Sequence, residues 1–409
     1  MTDYDAILIG GGASGLMAAC ALSRAGRRVA LLERQTRVGR KLLSTGNGRC
    51  NLTNRRAKSS DYHGSRQAAQ CALKRFPPAK IESVFDNLGI PCTADGEGRV
   101  YPASRQAASV LDALRLYCDE GRVETFTDFD VISLSHTSKG FEATSRDGRR
   151  ARGTCALICA GGLAAPKLGA TGDGYALLER FGHAIAPTFP AIAPLKTPVE
   201  PIRGLKGIRA EGTIALLSGE TEIRTERGEM LFTETGVSGI AAMQLARQAN
   251  ELLRAHKPCA VRLNLMPEGL SLRERAQRLP YRSLEDFLNG IVARRLGQAL
   301  VKVAGISLSR EAGSLTPAEL NRLSRVLTGW TLPVTGTQGF DGAQVTAGGA
   351  RLSDFDIRRM ASLRVPGLYA AGEVLDVDGD CGGFNLQWAW SSALMAAEAI
   401  DARLDGNDQ

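Results

Sequence analysis

Histidine, aromatic residues and paired cysteines are scarce in this sequence of 409 residues. It contains four histidines, and its nine cysteines are scattered, with no C-x-x-C pair and no cysteine and histidine spacing of the kind that holds zinc. We therefore predict no metal site and no disulfide relay. The cysteines are interpreted as reduced thiols, several of them core residues, such as Cys155 and Cys159.

Long apolar runs are also missing. The N-terminal apolar stretch has Asp3 and Asp5 where a signal peptide would be basic, and glycines interrupt it. The apolar segment 386–400 contains Gln387 and Glu398 and is too short to cross a bilayer. With 44% hydrophobic and 23% charged residues, the composition is that of an ordinary globular protein, which we predict to be cytoplasmic.

The most informative segment lies near the N-terminus and has the pattern of strand, glycine-rich turn, helix and second strand ending in an acid. Its parts are an apolar run at 6–9, Gly-Gly-Gly-Ala-Ser-Gly at 10–15, a helical pattern at 16–25, a second apolar run at 29–32 and Glu33. A glycine triplet alone is weak evidence, but the flanking strand, helix and acid make it a dinucleotide-binding fingerprint.

Each residue type in this fingerprint has a physical reason. Gly10 permits the tight turn, Gly12 lets the backbone approach a pyrophosphate, and Gly15 allows close helix–strand packing. The helix N-terminus offers free N–H groups to the phosphates. Glu33 can accept hydrogen bonds from ribose hydroxyls and would repel a 2′-phosphate, so we predict an unphosphorylated adenosine ribose, as in FAD or NAD.

A second candidate ligand segment follows at 39–54. It is rich in glycine and small polar residues and combines Arg40, Lys41, Asn47, Arg49 and Asn51. A plain linker rarely needs so many donors together, so we interpret this segment as a loop that wraps a polar ligand.

Charge is unevenly distributed along the chain. Between Arg24 and Lys58 there are eleven basic residues against Glu33 alone, and from Gly372 to the end there are eight acidic residues, Asp408 among them, against Arg403 alone. The two ends are expected to attract each other. No RNA-binding module or interleaved aromatic residues accompany the basic run, so we do not predict nucleic acid as a partner and interpret the run as a solvated face beside a diphosphate.

Five prolines between 187 and 201 mark a domain boundary. We predict an α/β fold in which a nucleotide-binding domain, formed by 1–188 and 346–409, is interrupted by an inserted mixed domain at 189–345. Helices are expected at 104–118, 240–255, 284–303 and 317–327, and a strand at 123–134. Near the C-terminus, Gly372 and Glu373 end a strand, and Gly382 and Gly383 open a helix whose bare N–H groups face a ligand.

Motifs spread along almost the whole chain resemble those of the BaiN/YhiN-like (HI0933-like) family of FAD-dependent oxidoreductases, within the glutathione-reductase-type flavoproteins. They are GGGASG with Glu33, GRKLLSTGNGRCNLTN, AGG with GATGDGY, LFTETGVSG, VTAGG and GLYAAGEVLDVDGDCGGFNLQWAW. The resemblance implies a discontinuous, Rossmann-like FAD-binding domain and an inserted domain that covers the flavin and contacts substrate.

The resemblance also implies a set of FAD contacts. They fall on Gly10, Gly12, Ala13, Ser14, Gly15, Glu33, Arg34, Arg40, Lys41, Ser44, Gly46, Arg49, Cys50, Asn51, Val131, Ala160, Gly161, Gly372, Glu373, Gly383, Asn385, Leu386 and Gln387.

Two positions depart from the family pattern. Glu234 stands where many relatives have a substrate-facing histidine, and Cys381 stands where a threonine is common. A substrate is therefore not carried over from the family. Family activities include reduction of a double bond conjugated to a ketone and oxidation of small amino ketones.

Residues for catalysis are few. Arg49, Arg99, Tyr101 and Cys381 are candidates, with Ser104 beside them, although packing of Tyr101 in the core is equally consistent with the sequence. Cys50 and Cys381 are a candidate redox pair, with simple packing as the alternative. His183 is interpreted as structural, and Trp388 and Trp390 as core or flavin-edge residues.

Three functional classes follow from this pattern. The leading one is an NAD(P)H-dependent flavin reductase of a small, electron-poor, enone-like molecule, in which hydride passes through flavin N5. An oxygen-using oxidase of a small amine or amino ketone is the alternative, and a flavin-bound RNA-associated or regulatory protein belongs to another class. No second G-x-G-x-x-G follows a strand, so NAD(P)H is expected to dock only transiently.

Overall fold

A mixed sheet with a parallel centre is the basis of the first structural unit of the computed structural model, which describes residues 3–406. This unit consists of the chain up to Phe189 and the chain from Val345 onward. Its first stretch contains β1 (Asp3–Ile9), α1 (Ala13–Arg24), β2 (Val29–Leu32), α2 (Arg40–Ser44), β3 (Thr53–Asn54), β4 (Tyr62–Gly64), α3 (Arg66–Arg75), α4 (Pro78–Asn87), β5 (Cys92–Ala94), β6 (Arg99–Pro102), α5 (Ala107–Glu120), β7 (Glu124–Phe126), β8 (Val131–Thr137), β9 (Gly140–Ser145), β10 (Arg150–Ile158), α6 (Asp173–Arg180) and β11 (Ile185–Ala191).

The second unit is Pro190–Gln344 and is built on an antiparallel sheet. Its elements are β12 (Leu195–Lys196), β13 (Arg209–Ser218), β14 (Thr221–Phe232), β15 (Gly236–Ser238), α7 (Ile240–Gln244), α8 (Ala246–Arg254), β16 (Ala260–Asn264), α9 (Leu272–Arg278), α10 (Arg294–Val303), α11 (Pro317–Gly329), β17 (Trp330–Pro333), β18 (Gly336–Thr337) and α12 (Gly339–Gly342). The sheet order is β17-β16-β13-β14-β15-β12-β18.

The chain then returns to the first unit. It adds β19 (Val345–Ala350), β20 (Phe355–Asp356), β21 (Ala361–Ser362), β22 (Leu368–Ala370), β23 (Val377–Gly379) and α13 (Phe384–Leu404). In the main sheet the order β22-β10-β1-β2-β7 is parallel throughout, which confirms the predicted α/β architecture with a Rossmann-like domain.

Register brings the carboxyl ends of three strands to one edge of this sheet. Ile9 of β1 lies opposite Ile158 of β10, and Ile158 lies opposite Ala370 of β22. The glycine-rich turns that follow these strands therefore start side by side. In open parallel sheets this edge is where ligands bind.

Buried apolar side chains on the strands and on α1, α5 and α13 form the core of the first unit. Trp388 and Trp390 belong to it, and their indole N–H groups donate to the carbonyls of Gly372 and Leu52 at 3.0 Å. The buried Cys155 and Cys159 are core residues as predicted.

His183 is also structural. Its Nε2 lies 2.8 Å from Ser362 Oγ, its ring stacks on Phe355, and burial lowers its pKa.

Several predicted elements were wrong in extent. The segment 284–293 is not helical, because the guanidinium of Arg275 bonds the carbonyls of Phe287 and Asn289, and Gly290 adopts a left-handed conformation that ends the turn. The predicted strand 123–134 divides into β7 and β8, since Asp128 has a positive φ. The predicted helix 240–255 is two helices, α7 and α8, and the helix predicted from 104 begins at Ala107.

The attraction expected between the basic and acidic ends of the chain is present. Arg27 bonds Asp401 at 2.6 Å and also pairs with Asp405, while Lys41 pairs with Glu373 at 2.7 Å. Asp408 lies outside the described residues. These contacts tie α2 and the turn between α1 and β2 to the C-terminal part of the same unit.

We predict that Gly15→Ala destabilises the fold by about 1–3 kcal/mol, the usual cost of overpacking a core. A Cβ at position 15 would lie 1.9 Å from the carbonyl oxygen of Gly10. The measurement is the urea midpoint, with Gly96→Ala as control, because a Cβ at Gly96 meets no atom within 4 Å. Equal midpoints for the two variants would contradict this packing.

Candidate functional site

The turn between β1 and α1 has the geometry of a pyrophosphate cradle. Gly10 has φ 111°, a conformation that favours glycine, and a Cβ at Gly12 would meet no atom within 4 Å, so the backbone at Gly12 faces open space. Ala13 and Ser14 begin α1, which has no side-chain cap and no acidic residue in its first turn. Its N–H groups are therefore available to an anion.

Glu33 lies beside this turn. Its carboxylate accepts hydrogen bonds from the N–H groups of Gly11 and Gln35, both at 2.8 Å. Burial raises the pKa of Glu33, although the backbone donors and Arg34 act in the opposite direction. A carboxylate held in this way keeps free lone pairs for ribose hydroxyls.

Two of the predicted basic contacts, Arg34 and Arg40, are held by protein groups of the first unit. Arg34 bonds Asp173 at 2.7 Å, and Arg40 reaches the side chain of Gln35 and the carbonyl of Lys167. The charge of Arg34 is thus largely balanced.

Two further predicted contacts are not charged. Val131 is buried at the start of β8, and Ser44 donates to the carbonyl of Lys41.

Lys41 and Glu373 meet although they are far apart in sequence. Glu373 bonds the ammonium of Lys41 at 2.7 Å and accepts from the backbone N–H of Thr346 at 2.8 Å. Thr346 Oγ1 in turn accepts from the N–H groups of Leu163 and Ala164. Thr346 was not identified from the sequence, although its VTAGG motif was; a buried threonine next to glycines was the available signal.

The loop 44–51 has an unusual backbone. Gly46, Asn47, Gly48 and Cys50 all have positive φ, and non-glycine residues such as Asn47 and Cys50 adopt this conformation at a cost. Strain of this kind is typical of ligand-binding loops, which agrees with the interpretation of this segment. Arg49 is exposed on the same loop.

The start of α13 lies next to the end of the ligand loop. Gly383 precedes the helix, which has no side-chain cap and no acid in its first turn. Asn51 Oδ1 lies 2.7 Å from the position of a Cβ on Gly383, is buried, and has no hydrogen-bond partner within residues 3–406. A buried acceptor beside free N–H donors fits the polar pyrimidine edge of a flavin, which has both donors and acceptors.

Other residues predicted at this end have structural partners. Asn385 bonds the N–H and carbonyl of Gly379, and Gln387 is buried and bonds Thr53, Phe76 and Ser391. These side chains shape the helix start. Leu386 is half-buried in the first turn of α13.

The remaining predicted contacts line the sheet edge. Ala160 and Gly161 follow β10, and a Cβ at Gly161 would meet no atom within 4 Å. Gly372 has φ 78°, and a Cβ there would lie 2.2 Å from Ser14 Oγ. Glycines at these points therefore keep the crevice open and the strand ends close together.

The two candidate thiols differ in exposure. Cys50 is buried, which raises its pKa to about 12, so its thiol stays protonated and is a poor nucleophile at neutral pH. Cys381 is half-buried. Arg99 pairs with Glu97 and Asp95, and Ser104 is exposed at the end of β6. Tyr101 is buried, and burial raises its pKa.

In the second unit, the Thr233-Glu234-Thr235 segment lines a cavity of about 330 Å³. Glu234 pairs with Lys206 at 2.5 Å, and this contact lowers the pKa of Glu234. The cavity is also lined by Gly207, Leu231, Phe232 and Gln338.

The glycine turn after β1, the carboxylate of Glu33 beside it and the two uncapped helix starts fit a dinucleotide-binding flavoprotein. The chain belongs to the family described as HI0933-like protein Rossmann domain, whose model matches residues 4–399, and it is an FAD-dependent oxidoreductase. It is 37% identical over 97% of its length to a 3-dehydro-bile acid delta(4,6)-reductase from Clostridium scindens, 98% of which is covered.

Further comparisons agree with this family. A ribosomal RNA dihydrouridine synthase from Escherichia coli is 32% identical, over 98% of this chain and 99% of the relative. The fold resembles that of a 3-ketosteroid delta1-dehydrogenase from Sterolibacterium denitrificans, with a TM-score of 0.57, 14% identity and coverage of 98% of this chain and 100% of the other. Within residues 3–406, no helix has the length and apolar character needed to cross a membrane.

We predict that Glu33→Gln weakens FAD binding about tenfold, equivalent to ~1.4 kcal/mol. The amide keeps the size of the side chain but turns an NH₂ group toward a backbone or ribose donor. Flavin fluorescence titration of the apoprotein measures this effect. Glu124→Gln, which removes the same charge from the partner of Tyr4, serves as control, and equal affinities would contradict the role of Glu33.

FAD affinity is also expected to depend on pH. Because burial raises the pKa of Glu33, its carboxylate protonates at a higher pH than an ordinary glutamate, whose pKa is about 4.3. Affinity should therefore begin to fall above that pH as acid is added. The same titration with Glu33→Gln should show a weaker pH dependence; an identical profile would contradict the assignment.

Proposed function

We propose that the protein is a reductase that adds hydride to a carbon–carbon double bond conjugated to a carbonyl group, with NAD(P)H as electron donor and a small enone-like molecule as acceptor. The observation that carries the proposal is the 37% identity, over 97% of the chain, to a 3-dehydro-bile acid delta(4,6)-reductase. A 3-oxo group next to a Δ4 double bond is an enone, which accepts hydride at its β-carbon.

The names of two relatives share this chemistry. In uridine, the C5–C6 double bond is conjugated to the C4 carbonyl, so formation of dihydrouridine is also reduction of a polarised alkene. Bound FAD supplies hydride transfer through its N5 atom. The protein supplies orientation and electrostatics.

The start of α13 supports a cofactor that gains negative charge. Its N–H groups carry no side-chain cap and face no acid from their own first turn, so they stabilise an anion in front of the helix. Asn51 Oδ1 adds an acceptor beside them. Together these groups would hold the flavin ring and favour its reduced form.

Thiol chemistry has little support at this site. The pKa of Cys50 is raised to about 12, so the thiolate needed for a disulfide relay is scarce. For proton transfer, Tyr101 remains the candidate within the first unit, because a tyrosine hydroxyl is protonated at neutral pH and can donate a proton.

A uracil ring in RNA is the second candidate acceptor. The Escherichia coli relative, 32% identical over 98% of the chain, favours it. The same flavin chemistry would serve both acceptors, so they differ in how the substrate reaches the flavin.

The test separates the two half-reactions under anaerobic conditions. NADPH should bleach the visible flavin band, and the reduced protein should be reoxidised by a 3-oxo-Δ4 steroid faster than by the matching saturated ketone. Reoxidation by a uridine-containing oligonucleotide alone would favour the second candidate. Reduction by an amino ketone, with peroxide formed on admission of air, would overturn the proposal in favour of an oxidase.

A further inference from the structure

Two arginines, one on the ligand loop at 39–54 and one in the turn after β6, make no ion pair. Arg49 and Arg105 are both exposed, and within residues 3–406 neither guanidinium has a hydrogen bond or an acidic partner. Both arginines lie near Tyr101, a buried residue of the first unit.

Strand pairing places Arg49 near Tyr101. Thr53 of β3 lies opposite Val100 of β6, and the N–H of Leu52 donates to the carbonyl of Val100 at 2.8 Å. A Cβ on Gly46 would lie 3.7 Å from the ring of Tyr101, and the N–H of Arg49 bonds the carbonyl of Gly46.

Arg105 lies over the same ring. Its guanidinium carbon lies 5.3 Å from the centre of the Tyr101 ring. Arg105 has φ 50°, and its N–H bonds the carbonyl of Pro102 at 2.8 Å. A left-handed arginine in a tight turn is strained, which is typical of a residue held for a function.

Local charges leave these two cations uncompensated. The nearby carboxylates, Asp95 and Glu97, pair with Arg99, and Asp95 Oδ1 also accepts the N–H groups of Glu97 and Arg99. Arg49, Arg99 and Arg105 are all near enough to Tyr101 to lower its pKa, although burial has the larger, opposite effect. The surface at the ligand loop and the turn after β6 is thus positively charged because of Arg49 and Arg105.

We propose that Arg49 and Arg105 form a binding site for a phosphate group of a nucleotide that approaches the ligand loop at 39–54. Guanidinium groups present several N–H donors in one plane and match phosphate oxygens, and two of them balance a dianion. The phosphate belongs either to the pyridine nucleotide donor or to an RNA substrate. This proposal rests on the proposed function, since that function requires a nucleotide at the flavin.

The experiment measures binding to the FAD-loaded protein. The probes are NADP⁺, which binds without reducing the flavin, and a fluorescein-labelled hexauridylate, with inorganic pyrophosphate as competitor. Arg105→Gln and Arg49→Gln should each weaken the binding of one probe about tenfold, the usual effect of losing a hydrogen bond to a charged group. For the oligonucleotide, each should also reduce the salt dependence of log Kd by about one unit.

Two control variants make the result specific. Arg150→Gln removes the same charge from the start of β10, where Arg150 pairs with Glu142, and should leave both affinities unchanged. Arg105→Lys keeps the charge but loses the planar donors, so a partial loss is expected. FAD affinity is measured in parallel, and if Arg49→Gln releases FAD, Arg105→Gln remains the decisive variant.

A selective loss for NADP⁺ assigns the phosphate to the donor, and a selective loss for hexauridylate assigns it to RNA. Unchanged affinity for both probes in Arg105→Gln, or equal losses in Arg150→Gln, would overturn the site. If the phosphate site persists while reduced flavin fails to reduce an enone or uridine, the proposed function fails and the site stands.

Discussion

The first unit depends on the close approach of three strand ends. The carbonyl oxygen of Gly10 leaves no room for a Cβ on Gly15, and the hydroxyl of Ser14 leaves no room for a Cβ on Gly372. Any larger residue would separate α1 from the sheet or from the C-terminal strand. The crevice at this edge exists because glycine has only a hydrogen atom where other residues have a side chain.

Charge contacts then join the parts of the chain that surround the crevice. Lys41 lies in α2, Glu373 follows β22, and Thr346 belongs to β19. Glu373 bonds both of the others, so one carboxylate links three segments that enter the unit separately. Both side chains of this ion pair are partly exposed, so its net energy is modest and its main effect is to position α2.

The electrostatics of the site explain why a flavin suits it. The helices that begin at Ala13 and Phe384 both present N–H groups with no acid in their own first turn, and under the proposed function one would face the pyrophosphate and the other the flavin ring. Cys50 is buried and its pKa is raised to about 12, so its thiol stays protonated and thiol chemistry is disfavoured at this loop. The relatives differ in substrate but share reduction of a conjugated double bond in the names they carry.

Sequence alone determined the local features: the glycine turn with Glu33, the α/β order and the bare start of α13, because each depends on neighbouring residues and a short repeat. The tertiary structure decided the rest. It placed Gln387 and Asn385 in structural hydrogen bonds, buried Tyr101, and replaced a predicted helix before Arg294 by a loop bonded to Arg275. These outcomes depend on partners supplied by other elements, and local spacing carries no information about such partners.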